Sequence, residues 1–344
     1  MRAWRLESTG RVGDGDGPLR YREVERPSPD RDEVLIRVEA CAVCHTELDQ
    51  IEGRVETPLP RIPGHEVVGE VVEIGDDVDD ALSGTRVGVG WIGGACGECR
   101  FCERGAENLC PDFRGTGRDL DGGYAEYMVA PAAFVVPVPD ALEPAEAAPM
   151  LCAGAIGLRS LRLANLADDQ VLGLTGFGAA NHLVLAMALA RDPDRRVVVF
   201  ARDAGQREQA IEMGAAWAGD THDDPPQTPD AIIDTTPVWT TVLAALERLA
   251  PGGRLVINAI SKEDDDRDRL AGLDYESQLW KEKEIKSVAN VTRRDLRGVL
   301  ELVAEHGLRA EIRRVGFDEA NEALKALKRG GNRGALVLEM NGAD

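Results

Sequence analysis

Val171-Leu172-Gly173-Leu174-Thr175-Gly176-Phe177-Gly178-Ala179-Ala180-Asn181 sets an apolar, β-rich run directly before two glycines and the start of a helical pattern. A strand that ends in a tight turn and passes into a helix is the opening unit of a parallel sheet with helices on both faces. Gly176 and Gly178 permit the turn and a close backbone approach to a pyrophosphate, which then rests on the helix N-terminus at Ala179 and Ala180. Asn181 occupies the place where a third glycine would let helix and strand pack closely.

The alternation continues downstream. Strands are expected at 171–174, 197–200, 231–234, 254–259 and 284–289, with helices at 180–190, 205–213, 240–249 and 295–306; Gly214, Gly252 and Gly307 stand near helix ends. Residues 1–150 differ: short β-rich runs at 33–41, 66–74, 85–89, 124–129 and 134–138 are separated by Gly, Pro and Asp, an irregular β-rich domain. The tail 310–340 reads as strand, short helix, strand and is expected to rejoin that first domain. The acidic stretch 263–268 reads as solvated surface.

A chain of 344 residues exceeds what one core usually holds, so two domains are expected. Its 40 basic and 61 acidic residues leave a net charge of −21, which disfavours nucleic acid as a partner. Lysine occurs only at 262, 281, 283, 286, 325 and 328, so arginine supplies 34 of the basic residues. That acid excess resembles proteins of organisms that accumulate salt; codon bias alone would explain arginine over lysine but not the acids. Residues 1–7 read as a strand and not a secretion signal. The charge-free span 171–190 is broken by glycines, so no membrane span is expected and a cytoplasmic location is.

The seven cysteines are too few and too clustered for a disulfide framework. Cys96, Cys99, Cys102 and Cys110 form a C-x2-C-x2-C-x7-C run whose four thiolates can close a tetrahedron around zinc, a structural site with no open position. Cys44, His65-Glu66 and Cys152 are dispersed; if they meet, two sulfurs and one imidazole leave a fourth zinc position free. Spacing alone does not establish that they meet. Cys41, at a strand end, reads as structural. After the second strand, Ala201 and Arg202 occupy the place of a ribose-binding acid, which favours NADP(H); Asp203, one step on, keeps NAD(H) open.

Taken together, Cys44-His45-Thr46-Glu47-Leu48-Asp49, Gly64-His65-Glu66, the four-cysteine lobe, Gly122-Gly123-Tyr124-Ala125-Glu126-Tyr127, Leu151-Cys152-Ala153-Gly154, the glycine turn and Asn332-Arg333-Gly334 resemble the zinc-dependent alcohol dehydrogenases of the medium-chain dehydrogenase/reductase superfamily. The resemblance implies an α/β chain: a GroES-like β-rich catalytic domain from 1–153 and 294–344, with a zinc lobe at about 91–115, around a Rossmann domain at 154–293. It implies two zinc ions per chain. Cys44, His65 and Cys152 would ligate the catalytic one, with Glu66 beside it, and the four-cysteine lobe the structural one.

By the same resemblance Thr46 takes the alcohol proton, His45 contacts a cofactor phosphate, Trp91 lines the substrate pocket and Arg333 reaches the pyrophosphate. The implied activity is reversible hydride transfer between a small, primary alcohol or aldehyde and a nicotinamide cofactor. A secondary-alcohol or polyol dehydrogenase, a zinc-bearing enoyl reductase and a non-catalytic zinc and dinucleotide binder are the alternatives. A homotetramer is expected, with a dimer next. Three departures stand out, one of them Asn181 in place of the third glycine, which calls the helix packing into question more than the binding. Glu47 occupies the place of an aspartate that orients the zinc histidine, and Asp49 that of a histidine at the outer end of the proton relay.

Overall fold

The structure, a computed structural model, describes residues 1–13, 15, 17–330 and 334–340. It divides into two compact units, Met1–Ala155 with Asn290–Asp344, and Ile156–Ala289.

The first unit is built on a seven-stranded sheet. Its order runs Ile312–Gly316, Ala335–Glu339, Glu33–Val43, Val67–Ile74, Arg86–Val89, Val136–Pro137, and Tyr127–Pro131 pairs with Glu33–Val43 off this path. Residues far apart in the chain are thus neighbours: Leu336 pairs with Val43 and Leu338 with Cys41, antiparallel. Inward residues of these strands, Val34, Ile36, Val67, Leu336 and Leu338, pack with Tyr124 into one core. A separate hairpin, Arg2–Leu6 with Leu19–Glu23, sits at the chain start.

In the second unit six strands are all parallel, in the order Trp217–Gly219, Val197–Phe200, Leu172–Thr175, Ala231–Asp234, Arg254–Ile257, Glu284–Ser287. Numbered along the chain this is 3-2-1-4-5-6, the order of dinucleotide-binding doubly wound sheets. The three central strands are buried at every position. Successive residues explain why: Ile233 packs with Leu172 and Leu174 on one face, while Ile232 packs with Leu246 and Leu255 on the other. A strand covered on both sides reads as a continuous apolar run.

Helices Ala179–Arg191, Ala204–Glu212, Trp239–Arg248 and Arg293–His306 lie within two residues of the expected ones. Gly307 ends the last of them in the left-handed conformation at φ +63°. Elements not anticipated include the strands Leu19–Glu23 and Trp217–Gly219 and the helices His45–Ile51, Ala153–Ala164 and Tyr275–Gln278.

Candidate active site

Cys44 closes the long strand of the first unit and stands as the N-cap of the short helix His45–Ile51. Gly64, at φ +101°, lets the chain turn where a Cβ would lie 2.5 Å from Tyr124 and 2.9 Å from the Cys41 sulfur. The next residue, His65, is thereby delivered to Cys44 with its ring buried. Cys152 enters from the junction between the 3-10 turn Ala148–Leu151 and the helix Ala153–Ala164. One ligand atom from each of Cys44, His65, Glu66 and Cys152 lies within 4.8 Å of the others. The dispersed residues do meet; Cys41 lies outside the group.

The donor set fits zinc. Two sulfurs on a tetrahedral ion with Zn–S of about 2.3 Å would be about 3.8 Å apart, and the Cys44 and Cys152 sulfurs are 4.0 Å apart. His65 Nε2 is buried with no hydrogen-bond partner, a cost the fold bears unless something accepts its lone pair. Its other nitrogen, Nδ1, lies 2.5 Å from Glu47 Oε1, and Glu47 Oε2 accepts the Cys44 backbone N–H at 2.8 Å. The longer glutamate is accommodated because, three residues into the helix, it reaches back to the N-cap. One carboxylate therefore orients two candidate ligands.

Electrostatics point the same way. The hydrogen bond from Cys152, against burial and with help from His65, holds the Cys44 thiol well below its ordinary range; the same bond and burial push the Cys152 thiol well above it. Burial would lower the His65 imidazole, but Glu47 and Cys44 raise it well above. Burial, then the Cys44 charge, pushes the Glu66 carboxyl well up. Donors crowded this closely repel one another when ionised, a conflict that a dication relieves.

The second cluster, Cys96, Cys99, Cys102 and Cys110, has sulfur separations of 3.9, 3.6, 3.8 and 3.5 Å around its ring. These again bracket the tetrahedral value. Four sulfurs would fill every position of a tetrahedral ion held there.

Around the first cluster, the Cys44 sulfur lies 3.7 Å from Thr46 Oγ1. Asp49, three residues further along the helix, is fixed by Arg54 at 2.7 Å. Trp91 is buried and meets His65 edge-on, with ring centroids 5.0 Å apart. His45 is exposed at the helix start.

In the second unit a cavity of about 460 Å³ opens at the C-terminal ends of the strands, lined among others by Gly176, Ala201, Arg202, Asp203, Thr236 and Val238. Gly176 has φ +75°, and a Cβ there would press on Thr236 at 2.9 Å. Gly178 caps the next helix, and a Cβ on it would meet nothing within 4 Å; its bareness leaves room for a ligand and is not demanded by the protein. Ala179 and Ala180 form the first helical turn. Asn181 does not loosen the packing: buried completely, its Nδ2 donates to Thr175 O at 3.1 Å, Gly176 O at 2.7 Å and Thr235 Oγ1 at 3.1 Å. It trades a glycine's closeness for a lock on the turn. Arg333 lies outside the described residues.

Three residues escaped sequence reasoning. Arg207 Nη1 donates to the carbonyls of Ala201 and Arg202, fixing the cavity's far rim. Lys262 forms a buried ion pair with Asp234 at 2.5 Å. Asp266, within the stretch expected to be plain solvated surface, accepts the N–H groups of Trp239 and Thr240 at 3.0 and 2.7 Å.

Residues 30–140 match the alcohol dehydrogenase GroES-like domain, and residues 209–338 match the zinc-binding dehydrogenases. "Probable alcohol dehydrogenase AdhA" of Mycobacterium tuberculosis is 41% identical over 98% of this chain and 97% of its own length. The chain belongs to the zinc-binding alcohol dehydrogenases. An alcohol dehydrogenase of Geobacillus stearothermophilus is 32% identical over 94% of this chain and 96% of its own. Among solved structures, a cinnamyl alcohol dehydrogenase of Sorghum bicolor superimposes with a TM-score of 0.85 at 28% identity, covering 98% and 97% of the two chains. As a zinc-binding alcohol dehydrogenase it is an NAD(P)-linked oxidoreductase of the medium-chain superfamily, with a GroES-like domain and a Rossmann-type sheet. No helix among its described residues is long and apolar enough to cross a membrane.

Proposed function

We propose that this dehydrogenase interconverts small primary alcohols and aldehydes with NADP(H) as the favoured cofactor. Cys44, His65 and Cys152 hold a catalytic zinc with Glu66 beside it, and Cys96, Cys99, Cys102 and Cys110 hold a structural one. The observation that carries this is the unpartnered, buried Nε2 of His65 beside two sulfurs 4.0 Å apart. When bound, zinc supplies a positive centre that acidifies an alcohol hydroxyl or polarises a carbonyl. Thr46, 3.7 Å from the Cys44 sulfur, takes the substrate proton and passes it outward. Trp91 supplies an apolar wall next to His65 that keeps water from the reacting carbon. Asp49, already paired with Arg54, orients the relay's outer end and does not receive the proton itself.

The cofactor reading rests on how the cavity's two candidate groups are engaged. One oxygen of the Asp203 carboxylate caps the helix Ala204–Glu212, accepting the Gln206 N–H at 2.9 Å. Arg202 is exposed on the same rim, a guanidinium suited to a 2′-phosphate. Gly176, Gly178, Ala179 and Ala180 cradle the pyrophosphate; the phosphate roles of His45 and Arg333 rest on the family resemblance alone. Cinnamyl alcohol dehydrogenases among the relatives act, by name, on a primary alcohol, which supports the substrate class. A homotetramer, cytoplasmic location and salt adaptation belong to the same proposal; the last rests on composition alone.

The test is metal analysis with a screen of alcohols and aldehydes against NADP(H) and NAD(H), at low and high salt. Two zinc ions per chain and turnover of primary alcohols with NADP are expected. Dinucleotide binding without turnover of any alcohol would overturn the proposal.

A further inference from the structure

Lys262 is one of six lysines in the chain, and it is buried: its side chain is 8% exposed, and the Asp234 carboxylate it meets is fully enclosed. Desolvating an ion pair is expensive unless every donor and lone pair finds a partner. Here the ammonium donates to Asp234 Oδ2 at 2.5 Å, to Thr236 O at 2.7 Å and to Val238 O at 3.3 Å. Three donors meet three acceptors, which suits an ammonium better than a planar guanidinium. The other oxygen, Asp234 Oδ1, accepts the hydroxyl of Thr236 at 2.9 Å.

Neighbouring residues of the same segment continue the grip. The Glu263 N–H donates to Pro237 O at 2.7 Å. Helix Trp239–Arg248 has no side-chain cap from its own N-cap residue, Val238. Asp266 supplies one from outside, accepting Trp239 N, Thr240 N and the Thr240 hydroxyl. The segment after the fifth strand of the sheet thus fastens the loop 235–238 at each of its residues from Thr236 to Val238, and pins the helix that follows. Thr236, Pro237 and Val238 line the cavity together with Arg202 and Asp203.

We infer that Lys262, with Asp266, is a positioning residue of the dinucleotide pocket: a latch that pre-shapes its Thr236–Val238 wall without touching the cofactor. This rests on the reading of the cavity as the dinucleotide site. Within the immediate sequence the wall is otherwise held by hydroxyl contacts, Thr236 to Asp234 and Thr241 to Val238 O at 3.0 Å, so releasing the charged latch makes cofactor binding bear part of the ordering of the loop.

The experiment measures dissociation constants of NADP and NAD by titration calorimetry on the zinc-loaded enzyme, with Tm and amide hydrogen exchange as companions. Lys262→Met is expected to weaken both cofactors about tenfold, the scale of one or two backbone residues freed. Asp266→Ala removes a cap from a half-buried position without leaving a buried charge unpaired; it should weaken both by a smaller factor, with faster exchange at Trp239 and Thr240 and a modest fall in Tm. Should Lys262→Met fail to fold, Asp266→Ala decides. Lowered Tm or faster exchange with wild-type affinity would make the contacts merely structural and overturn the inference. Ala179→Glu separates the two readings. If it abolishes binding while the latch variants bind normally, only the latch is wrong; if it binds normally, the cavity is not the dinucleotide site.

Discussion

Glu47 holds the His65 imidazole at 2.5 Å with one oxygen and the Cys44 backbone at 2.8 Å with the other. Two ligands of the proposed metal centre, 21 residues apart in the chain, thus share one support. Its removal should loosen both. Glu47→Ala is expected to lower zinc affinity of the dispersed site by about 10- to 100-fold, read as zinc lost to a chelator, while the four-cysteine site keeps its ion. Unchanged retention in both sites would refute the assignment.

The two clusters differ in what they are for. Cys152→Ser should abolish turnover with little loss of Tm, because it disarms a site with a free position. Cys102→Ser should chiefly lower Tm, because it opens a closed site that ties the lobe together. Thermal melts and steady-state rates on both variants check this pairing; equal destabilisation with surviving activity in Cys152→Ser contradicts it.

Cofactor choice turns on the rim where Asp203 is occupied as a cap and Arg202 is exposed. Arg202→Ala should raise the dissociation constant of NADP by about tenfold, one charge-assisted contact's worth, and leave NAD nearly unchanged. A parallel loss for both cofactors would show that Arg202 does not read the 2′-phosphate.

Acid stability has a visible contributor in Glu52. Burial pushes its carboxyl up, but hydrogen bonds from Lys328, Arg54 and the Val12 N–H outweigh this and hold it at about 2, against an ordinary 4.5. A depressed folded pKa gives stability that is present above 4.5 and lost as pH falls through about 2. Glu52→Gln should therefore lower Tm at neutral pH, and its difference from the wild type should shrink over that acid window. A difference independent of pH would mean that shape, not charge, matters at this position.

How much of this was readable beforehand follows from how local each signal is. The cysteine run and the glycine turn were legible because metal geometry and phosphate binding impose residue types at fixed short spacings. The strands Val197–Phe200 and Ala231–Asp234 fell where expected because burial on both faces leaves an unbroken apolar run. Trp217–Gly219 did not, being three residues long with a glycine at its end. Helix Ala153–Ala164 was hidden by Gly154 and Gly157, which lower helix propensity. They earn their places by close packing, since a Cβ on Gly157 would lie 3.0 Å from Val184.

Partnerships across long separations were invisible. No local pattern tells that Asp266 caps a helix beginning 27 residues earlier, or that Lys262 reaches back to Asp234. The acidic stretch resembled ordinary solvated surface because its one structural carboxylate is outnumbered by exposed ones. Asn181 misled in the opposite sense. A glycine's absence suggested looseness, whereas three donated contacts hold the turn.

Finally, the sheet of the first unit places Ala335–Glu339 between Ile312–Gly316 and Glu33–Val43. During synthesis the strand Glu33–Val43 emerges some three hundred residues before its neighbour, and the parallel sheet of Ile156–Ala289 is complete in the meantime. Until Ala335–Glu339 emerges, the nascent chain therefore carries an unpaired, apolar β edge at residues 40–43. Nonsense mutations that remove Ala335–Glu339 should yield protein prone to clumping that still carries a folded nucleotide module.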